Sequence, residues 1–225
     1  MELQAQFENL GGQFFLSEEA WKAKLAKVKA LVFDWDGVFN AGVKSQAAGS
    51  PFSEPDSMGL NMLRFSFWLQ NGHLPFTAII SGENNQTALQ FAQREHLDAV
   101  MLKAKNKGES LTLLLKQNQL KVEECLFVFD DILDLSAAKI ATARIQVNRT
   151  ANPLFSDFVD QHKLCDYRTA HAGDQHAVRE ISELLIGLNG NYAEVIEKRM
   201  AFEGDYQNYL NQRNVIEVEE WTIHS

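Results

Sequence analysis

The sequence predicts an α/β protein with a Rossmann-like, three-layer α/β/α architecture built on a parallel sheet. Short and continuously apolar segments recur along the chain. A strand of this composition is typical of a parallel sheet that is covered on both faces. Segments with helical periodicity separate these runs, so strand and helix alternate. Right-handed crossovers between successive strands then make the sheet parallel.

Length and charge limit the possible classes of protein. The chain has 225 residues, which is enough for one large domain with a full core, and a net charge of −9. This acidic balance predicts no nucleic-acid partner and no attraction to anionic membranes. Cys125 and Cys165 fit no metal-binding spacing and are expected to be reduced thiols. Without a signal-peptide pattern or an apolar run of about 20 residues, we expect a cytoplasmic protein.

The elements follow one another in a regular order. The first is a helix over residues 17–28, with Ser17 as a suitable N-cap and acidic residues in the first turn. Strands are predicted at residues 30–33, 76–80, 100–102, 126–129 and 145–147, and helices between them at 60–70, 84–96, 107–119 and 133–141. The pattern weakens after residue 150. A single long helix is predicted over residues 192–210, followed by a strand or ordered tail at 214–223.

One segment interrupts this alternation. Residues 40–56 are rich in Gly, Ser, Ala and Pro and are too long for an ordinary loop between a strand and a helix. We predict a small flap hairpin here, with no large cap domain. The predicted organisation is an N-terminal extension (1–27), an α/β domain (28–189) and a C-terminal helical extension and tail (190–225).

Polar residues follow the predicted strands at their carboxyl ends, where open α/β sheets bind ligands. These residues are Asp34 and Asp36 after the first strand, Ser81 and Gly82 after the second, Lys107 at the start of the helix after the third, and Asp130 and Asp131 after the fourth. Since the ends of parallel strands meet at one edge of the sheet, we expect these side chains to converge.

This combination of residue types indicates phosphoryl transfer. Clustered carboxylates repel one another, and a divalent cation relieves the repulsion. Hard oxygen ligands with open positions favour Mg²⁺, which also meets substrate phosphate. A carboxylate can then attack phosphorus while a lysine and a serine hold the phosphoryl oxygens. Asp34 and Asp36 are expected to point to the same side, and Gly37 lets the chain turn away.

The segment FDWDGVFNAG resembles the first motif of the haloacid dehalogenase superfamily in its phosphatase form. The later motifs match Ser81, Lys107 and the acidic group Asp130, Asp131 and Asp134. Order and spacing agree over residues 28–185. The flap without a cap, DSMGLNML and HAVREISELL resemble one branch of the superfamily, the 3-deoxy-D-manno-octulosonate 8-phosphate phosphatases. Members of that branch are tetramers that need magnesium.

The resemblance implies a role for each matching residue. Asp34 is expected to form an aspartyl-phosphate, and Asp36 to act first as an acid and then as a base. The resemblance assigns Ser81, Gly82 and Lys107 to the phosphoryl group, and Asp34, Asp36 through its carbonyl, Asp130 and Asp131 to Mg²⁺. It leaves Asp134 as either a helix cap or a supporting residue. The implied protein is a Mg²⁺-dependent phosphomonoesterase of a small metabolite such as a sugar phosphate, and a homotetramer.

Four positions depart from the family pattern. Pro55, Glu83 and Gln175 stand where the family has cationic residues, which a sugar acid carrying carboxylate and phosphate needs. Phe129 replaces the glycine that precedes the acidic pair. The sequence therefore predicts the reaction and argues against the family's usual substrate.

Two other functions compete with a phosphatase. The first is a catalytically weakened binding or assembly protein of the same fold, which Phe129, Glu83 and Pro55 favour. The second is a phospho-acceptor receiver domain, which also combines an acidic cluster with a lysine. Motif order disfavours the receiver, because its lysine comes last, whereas Lys107 precedes the second acidic pair.

Overall fold

The computed structural model describes residues 2–43 and 51–223 and places an eight-stranded sheet at the centre of the protein. In order along the chain, the strands are β1 (Gln13–Phe14), β2 (Ala30–Phe33), β3 (Phe76–Ile80), β4 (Ala99–Leu102), β5 (Cys125–Phe129), β6 (Ala143–Gln146), β7 (Tyr167–Arg168) and β8 (Glu219–Thr222). Across the sheet the order is β1-β7-β6-β5-β2-β3-β4-β8. All neighbouring strands are parallel except β1, which is antiparallel to β7. The predicted α/β class is confirmed.

Helices cover both faces of this sheet. They are α1 (Leu3–Leu10), α2 (Glu18–Leu25), α3 (Glu54–Asn71), α4 (Gln86–Glu95), α5 (Lys107–Gln117), α6 (Leu135–Ala138), α7 (Pro153–Gln161), α8 (Ala177–Asn189), α9 (Tyr192–Ala201) and α10 (Asp205–Arg213). Residues from α5, α6 and α7 pack on one face, and residues from the other helices pack on the opposite face. Within the described ranges, no helix is both long and apolar enough to cross a membrane.

Burial on both faces explains why the sequence of the central strand β2 is apolar throughout. Leu31 and Phe33 belong to the core cluster on one face, while Ala30 and Val32 belong to the cluster on the other. All four side chains are fully buried. A strand that is covered on both faces cannot alternate apolar with polar residues.

The C-terminal extension, residues 190–225, differs from the prediction in one element. The single helix expected over residues 192–210 is wrong, because the chain forms α9 and α10 with a break between them. Phe202 and Gly204 have positive φ angles of 55° and 57° there. Helical continuation is impossible at such angles, and glycine adopts them at the lowest cost. The predicted strand near the C-terminus is confirmed as β8, at the edge of the sheet beside β4.

The predicted flap hairpin over residues 40–56 lies partly outside the described residues. Its last part differs from the prediction, because α3 already begins at Glu54. Ser53 is the N-cap, and its hydroxyl accepts a hydrogen bond from the Asp56 backbone N–H at 3.2 Å. Asp56 therefore lies in the first turn of a helix, where it is completely buried.

Both terminal extensions contribute to the sheet and its packing. The N-terminal extension supplies β1, and the C-terminal extension supplies α9, α10 and β8. Tyr209 of α10 is fully buried, and its ring centre lies 5.1 Å from that of Phe65 on α3. The Tyr209 hydroxyl donates a hydrogen bond to the Asn61 carbonyl oxygen at 3.0 Å. The proposed domain boundaries stay a prediction, which the stability of α10 can test.

Replacing Tyr209 with Ala is expected to lower the free energy of unfolding by about 3–5 kcal/mol, because a buried aromatic side chain is lost. For a chain of this length, that corresponds to a fall in Tm of about 6–20 °C. Tyr209→Phe loses only the hydrogen bond and should cost about 0.5–1.5 kcal/mol. Differential scanning calorimetry measures both changes. If Tyr209→Ala left the main transition unchanged, the C-terminal extension would fold apart from the sheet domain.

Candidate active site

A polar cavity of about 200 Å³ opens at the carboxyl ends of the central strands. Its lining consists of Asp34, Asp36, Gly42, Gly82, Glu83, Lys107, Asp130, Asp131, Leu133, Asp134 and Arg149. Six of the seven predicted site residues are in this set, and the seventh, Ser81, lies beside it at the end of β3. Strand β2 lies between β5 and β3 in the sheet, so the crossovers on its two sides leave a crevice at its end.

Lys107 holds two carboxylates together in this cavity. Its ammonium group donates a hydrogen bond to Asp34 Oδ1 at 2.5 Å and another to Asp134 Oδ1. All three side chains are buried. Burial by itself lowers the pKa of Lys107, but the charges of Asp34 and Asp134 outweigh it and raise the pKa above its usual value. Lys107 therefore stays charged. Its position as the first residue of α5 follows from the N-cap Asn106, which accepts from the Glu109 N–H at 3.3 Å.

Three buried carboxylates form a potential metal site. One oxygen from each of Asp34, Asp130 and Asp134 lies within 4.8 Å of the other two. Burial and the neighbouring acidic charges raise the pKa of Asp34 well above its usual value. Burial and the charge of Asp134 raise the pKa of Asp130 to about 7. The cluster thus has too little positive charge for its carboxylates, and a divalent cation with oxygen ligands fits this need.

Asp134 and Asp131 have different roles from one another. Asp134 Oδ2 accepts hydrogen bonds from the backbone N–H groups of Asp130 at 3.3 Å and Asp131 at 3.1 Å. It therefore fixes the loop after β5 while its other oxygen bonds Lys107. The Asp131 side chain is exposed, and its Oδ1 accepts from the Ile132 N–H at 2.7 Å. A metal-binding role for Asp131 stays a prediction.

The turn after Asp34 depends on Gly37. Its φ angle is +89°, and a Cβ atom here would lie 2.0 Å from Asp130 Oδ2. Only glycine allows the backbone to pass so close to the acidic cluster. The Asn40 side chain fastens the same turn, because its Oδ1 accepts from the Gly42 N–H at 2.8 Å and its amide donates to the Trp35 carbonyl at 3.3 Å.

Two further residues lie at the site that the sequence did not predict to be there. Arg149, in the loop after β6, lines the cavity and donates a hydrogen bond to Asp130 Oδ2. Asn85, the N-cap of α4, donates from its amide to Asp36 Oδ2 and to Ser81 Oγ, each at 2.7 Å. The spacing of Arg149 and Asn85 in the sequence does not indicate that they lie at the site. Asn85 lies at the start of the helix predicted over residues 84–96, where an asparagine is interpreted first as a cap.

The four departures from the family pattern lie in different places. Glu83 lines the cavity and forms an ion pair with Lys105 at 3.0 Å. Pro55 is exposed in the first turn of α3, and Gln175 lines a different cavity. Phe129 is fully buried in the core and is not among the residues that line the acidic cavity. Of the four, Glu83 alone changes the charge of the cavity wall.

Known structures resemble this one closely. No protein-family model and no curated protein matches the sequence. A 3-deoxy-D-manno-octulosonate 8-phosphate phosphatase from Moraxella catarrhalis, solved with magnesium, phosphate and KDO, is 24% identical, with 80% of this chain and 98% of that chain covered and a TM-score of 0.67. A probable YrbI family phosphatase from Pseudomonas syringae pv. phaseolica is 25% identical, with 83% and 99% covered and a TM-score of 0.65.

A third similar structure is the cobalt-bound deoxy-D-mannose-octulosonate 8-phosphate phosphatase from Haemophilus influenzae. It is 21% identical, with 78% of this chain and 99% of that chain covered and a TM-score of 0.63. The chain therefore has the fold of the haloacid dehalogenase superfamily, to which another neighbour from Legionella pneumophila is assigned. The fold predicted from the sequence motifs is confirmed.

Magnesium is expected to stabilise the protein through the acidic cluster. At a concentration about 100 times its Kd, Mg²⁺ should add about 2.7 kcal/mol to the free energy of unfolding, or about 5–10 °C in Tm. Asp130→Asn should remove most of this gain, because it removes a buried ligand. Asp131→Asn, at an exposed position, should lose less of it, as expected if Asp131 binds through water. Thermal shift with and without Mg²⁺ measures the difference, and equal losses in both variants would place Asp131 among the ligands.

Gly37→Ala should weaken metal binding, because the new methyl group displaces Asp130. Gly72→Ala is a matched control, since Gly72 has a similar φ of +73° but, among the described residues other than its chain neighbours, no atom within 4 Å of the added Cβ. Both variants should lose about 1–3 kcal/mol of stability from backbone strain. Only Gly37→Ala should also lose the thermal shift with Mg²⁺. An equal Mg²⁺ shift in the two variants would contradict the close contact between Gly37 and Asp130.

Proposed function

We propose that this protein is a Mg²⁺-dependent phosphomonoesterase that hydrolyses a small phosphorylated metabolite through an aspartyl-phosphate on Asp34. The observation that supports this best is the buried cluster of Asp34, Asp130 and Asp134 around Lys107 at the carboxyl ends of the strands. Three phosphatases with the same fold support the reaction class, and two of them were solved with a divalent metal. Their identity to this chain is low, so the assignment depends on the site.

The predicted magnesium ligands are Asp34, the carbonyl of Asp36, and Asp130, with Asp131 directly or through water. Asp134 is a further candidate, because its carboxylate shares the cluster with Asp34 and Asp130. A bound Mg²⁺ would neutralise charge on the carboxylates and on the phosphoryl oxygens.

In the first half-reaction, an Asp34 carboxylate oxygen attacks phosphorus and the bond from phosphorus to the ester oxygen breaks. The protonated Asp36 carboxyl gives its proton to the leaving alkoxide, which departs as an alcohol. Lys107 orients Asp34 through the 2.5 Å hydrogen bond and contributes positive charge beside the transferring group.

In the second half-reaction, water attacks the phosphorus of the aspartyl-phosphate. The Asp36 carboxylate takes a proton from this water, the bond between Asp34 and phosphorus breaks, and inorganic phosphate leaves. Both enzyme carboxyl groups return to their starting states. Asn85 is a positioning residue for this sequence, because its amide bonds both Asp36 and Ser81 at 2.7 Å.

The substrate is proposed to be a small sugar phosphate. The Moraxella protein was solved with phosphate and KDO, which supports a phosphorylated sugar as the class of substrate. In this chain the cavity wall carries Glu83 where the family pattern has a cation, and Arg149 beside Asp130. Arg149 is therefore the group proposed to meet an anionic or hydroxylated part of the substrate. Cytoplasmic location remains a prediction of the sequence pattern, and homotetrameric assembly remains a prediction of the resemblance.

Hydrolysis of p-nitrophenyl phosphate with Mg²⁺ tests the reaction. Asp34→Asn should reduce kcat by at least roughly 10³-fold, since a nucleophile acting together with its partners is lost. Asp36→Asn should slow turnover strongly but still permit phosphorylation of Asp34 by an ester with a good leaving group, which intact-protein mass spectrometry detects. EDTA should abolish activity in all variants.

Binding of Mg²⁺ without catalysis would favour the weakened binding or assembly protein. The wild-type protein would then show the thermal shift with Mg²⁺ but no turnover of p-nitrophenyl phosphate or of a panel of sugar phosphates. A rate that is the same in wild type and Asp34→Asn would indicate a contaminating phosphatase and would contradict the proposal.

A further inference from the structure

A second polar cavity lies away from the candidate active site and shares no lining residue with it. Its volume is about 210 Å³, and it is lined by Glu54, Ser57, Met58, Asn61, Arg94, Glu95, Arg199, Tyr206 and Arg213. These residues come from α3, the end of α4, α9 and α10. We call it the arginine cavity, after its three arginines. Two of the three belong to the C-terminal extension, for which the sequence predicts no role.

Arg199 presents a guanidinium group without a polar partner. It lies over two rings, with its Cζ 5.2 Å from the Phe202 ring centre and 4.9 Å from that of Tyr206. In the part of the chain that the structure describes, Arg199 makes no hydrogen bond or ion pair, and its Nε is buried without an acceptor. Stacking on aromatic rings holds a guanidinium plane still while its N–H edge remains available to an oxyanion.

Arg213 is similarly short of acceptors. Its side chain is only 12% exposed, and its one charged partner among residues 2–43 and 51–223 is Glu95, at 3.8 Å. That distance is too long for a hydrogen bond. The Nε of Arg213 is also buried without an acceptor. Two guanidinium groups in one cavity therefore lack hydrogen-bond acceptors, and a ligand that supplies oxygen atoms would provide them.

Glu95 does not satisfy these arginines. Its Oε1 already accepts a hydrogen bond from the Ser57 hydroxyl and lies 3.4 Å from Arg94 Nε. The other glutamate of the cavity, Glu54, is paired with Arg94. The walls therefore hold three arginines against two glutamates, a local excess of positive charge in a protein with a net charge of −9. An anion is the ligand that this excess attracts.

We propose that the arginine cavity binds a small oxyanion, a phosphorylated or polycarboxylate metabolite, separately from the proposed phosphatase reaction. Guanidinium forks pair with both phosphate and carboxylate through two parallel hydrogen bonds. The Tyr206 ring and the Asn61 and Ser57 side chains complete a mixed wall. The volume of about 210 Å³ is below the roughly 300–1,000 Å³ of sites for drug-sized ligands, which favours a small anion.

Binding at this place would connect the C-terminal extension to the sheet domain. Arg199 and Arg213 lie on α9 and α10, whereas Arg94 lies in the last turn of α4. A ligand held by all three would fasten the two terminal helices against α3 and α4. Bound anion is therefore expected to slow proteolysis within residues 190–213, as well as to raise Tm.

Isothermal titration calorimetry tests the proposal with three probes: inorganic phosphate, pyrophosphate and citrate. The titrations use the full chain in EDTA at constant ionic strength, so that metal-dependent binding at the acidic cavity is suppressed. At least one probe should bind saturably, and Arg199→Gln and Arg213→Gln should each raise its Kd at least tenfold. Lys116→Gln, which removes an exposed cation from α5 on the other side of the sheet, should leave Kd unchanged. The phosphate and citrate arms distinguish a phosphorylated from a carboxylate ligand.

Several results would overturn the site. One is the absence of saturable binding with all three probes. Another is binding that weakens with Lys107→Met but not with Arg199→Gln, which would place the anion in the acidic cavity.

Because Arg199 packs on two rings, its variant is checked by circular dichroism. Arg94→Gln, whose side chain is 46% exposed, gives an independent variant that should fold and should also raise Kd. An unchanged Kd in that variant would contradict a ligand held by all three arginines. Neither phosphatase activity nor its loss affects this test.

Discussion

The structure depends above all on the contact of one buried ammonium group with two buried carboxylates. Lys107 reaches Asp34 at the end of β2 and Asp134 after β5, and so joins two parallel strands and the start of α5 at one point. Buried charges of this kind are tolerated only with close partners. The surrounding backbone is arranged accordingly: Gly37 allows the chain to pass the cluster, and the loop after β5 donates its N–H groups to Asp134.

This contact leaves the site with more negative than positive charge. Asp130 completes an acidic group in which one oxygen of each carboxylate lies within 4.8 Å of the others, and Arg149 compensates only one of the three carboxylates. A divalent cation and a phosphoryl group together would balance such a site, which connects its electrostatics to the proposed hydrolysis. The lining of the arginine cavity has an excess of positive charge instead. The cavity proposed to bind Mg²⁺ and the cavity proposed to bind an anion are therefore separate.

Much of the site was predictable because parallel strands bring their carboxyl ends together. Asp34, Lys107 and Asp130 each follow an apolar run, and that pattern alone predicts that they meet. Arg149 and Asn85 were missed for a physical reason. Arg149 lies in a loop and Asn85 at a helix cap. Whether such side chains contact the site depends on their rotamers and on tertiary distances, which the local periodicity of the sequence does not encode. The break between α9 and α10 was missed because apolar residues recur at helical spacing on both sides of Gly204, and an isolated glycine in such a pattern does not by itself predict a break.

The sequence by itself determined the strands β2 to β6, their burial on two faces and the acidic residues at their ends, because these follow from local apolar runs and from the geometry of parallel sheets. Tertiary structure alone decided which charges pair. In the folded protein Lys107 donates a hydrogen bond to Asp134, and Arg149 donates one to Asp130. The same packing brings Arg199 and Arg213 into one cavity with Arg94. Pairing depends on distances between residues far apart in the chain, and these are set only when the helices pack on the sheet.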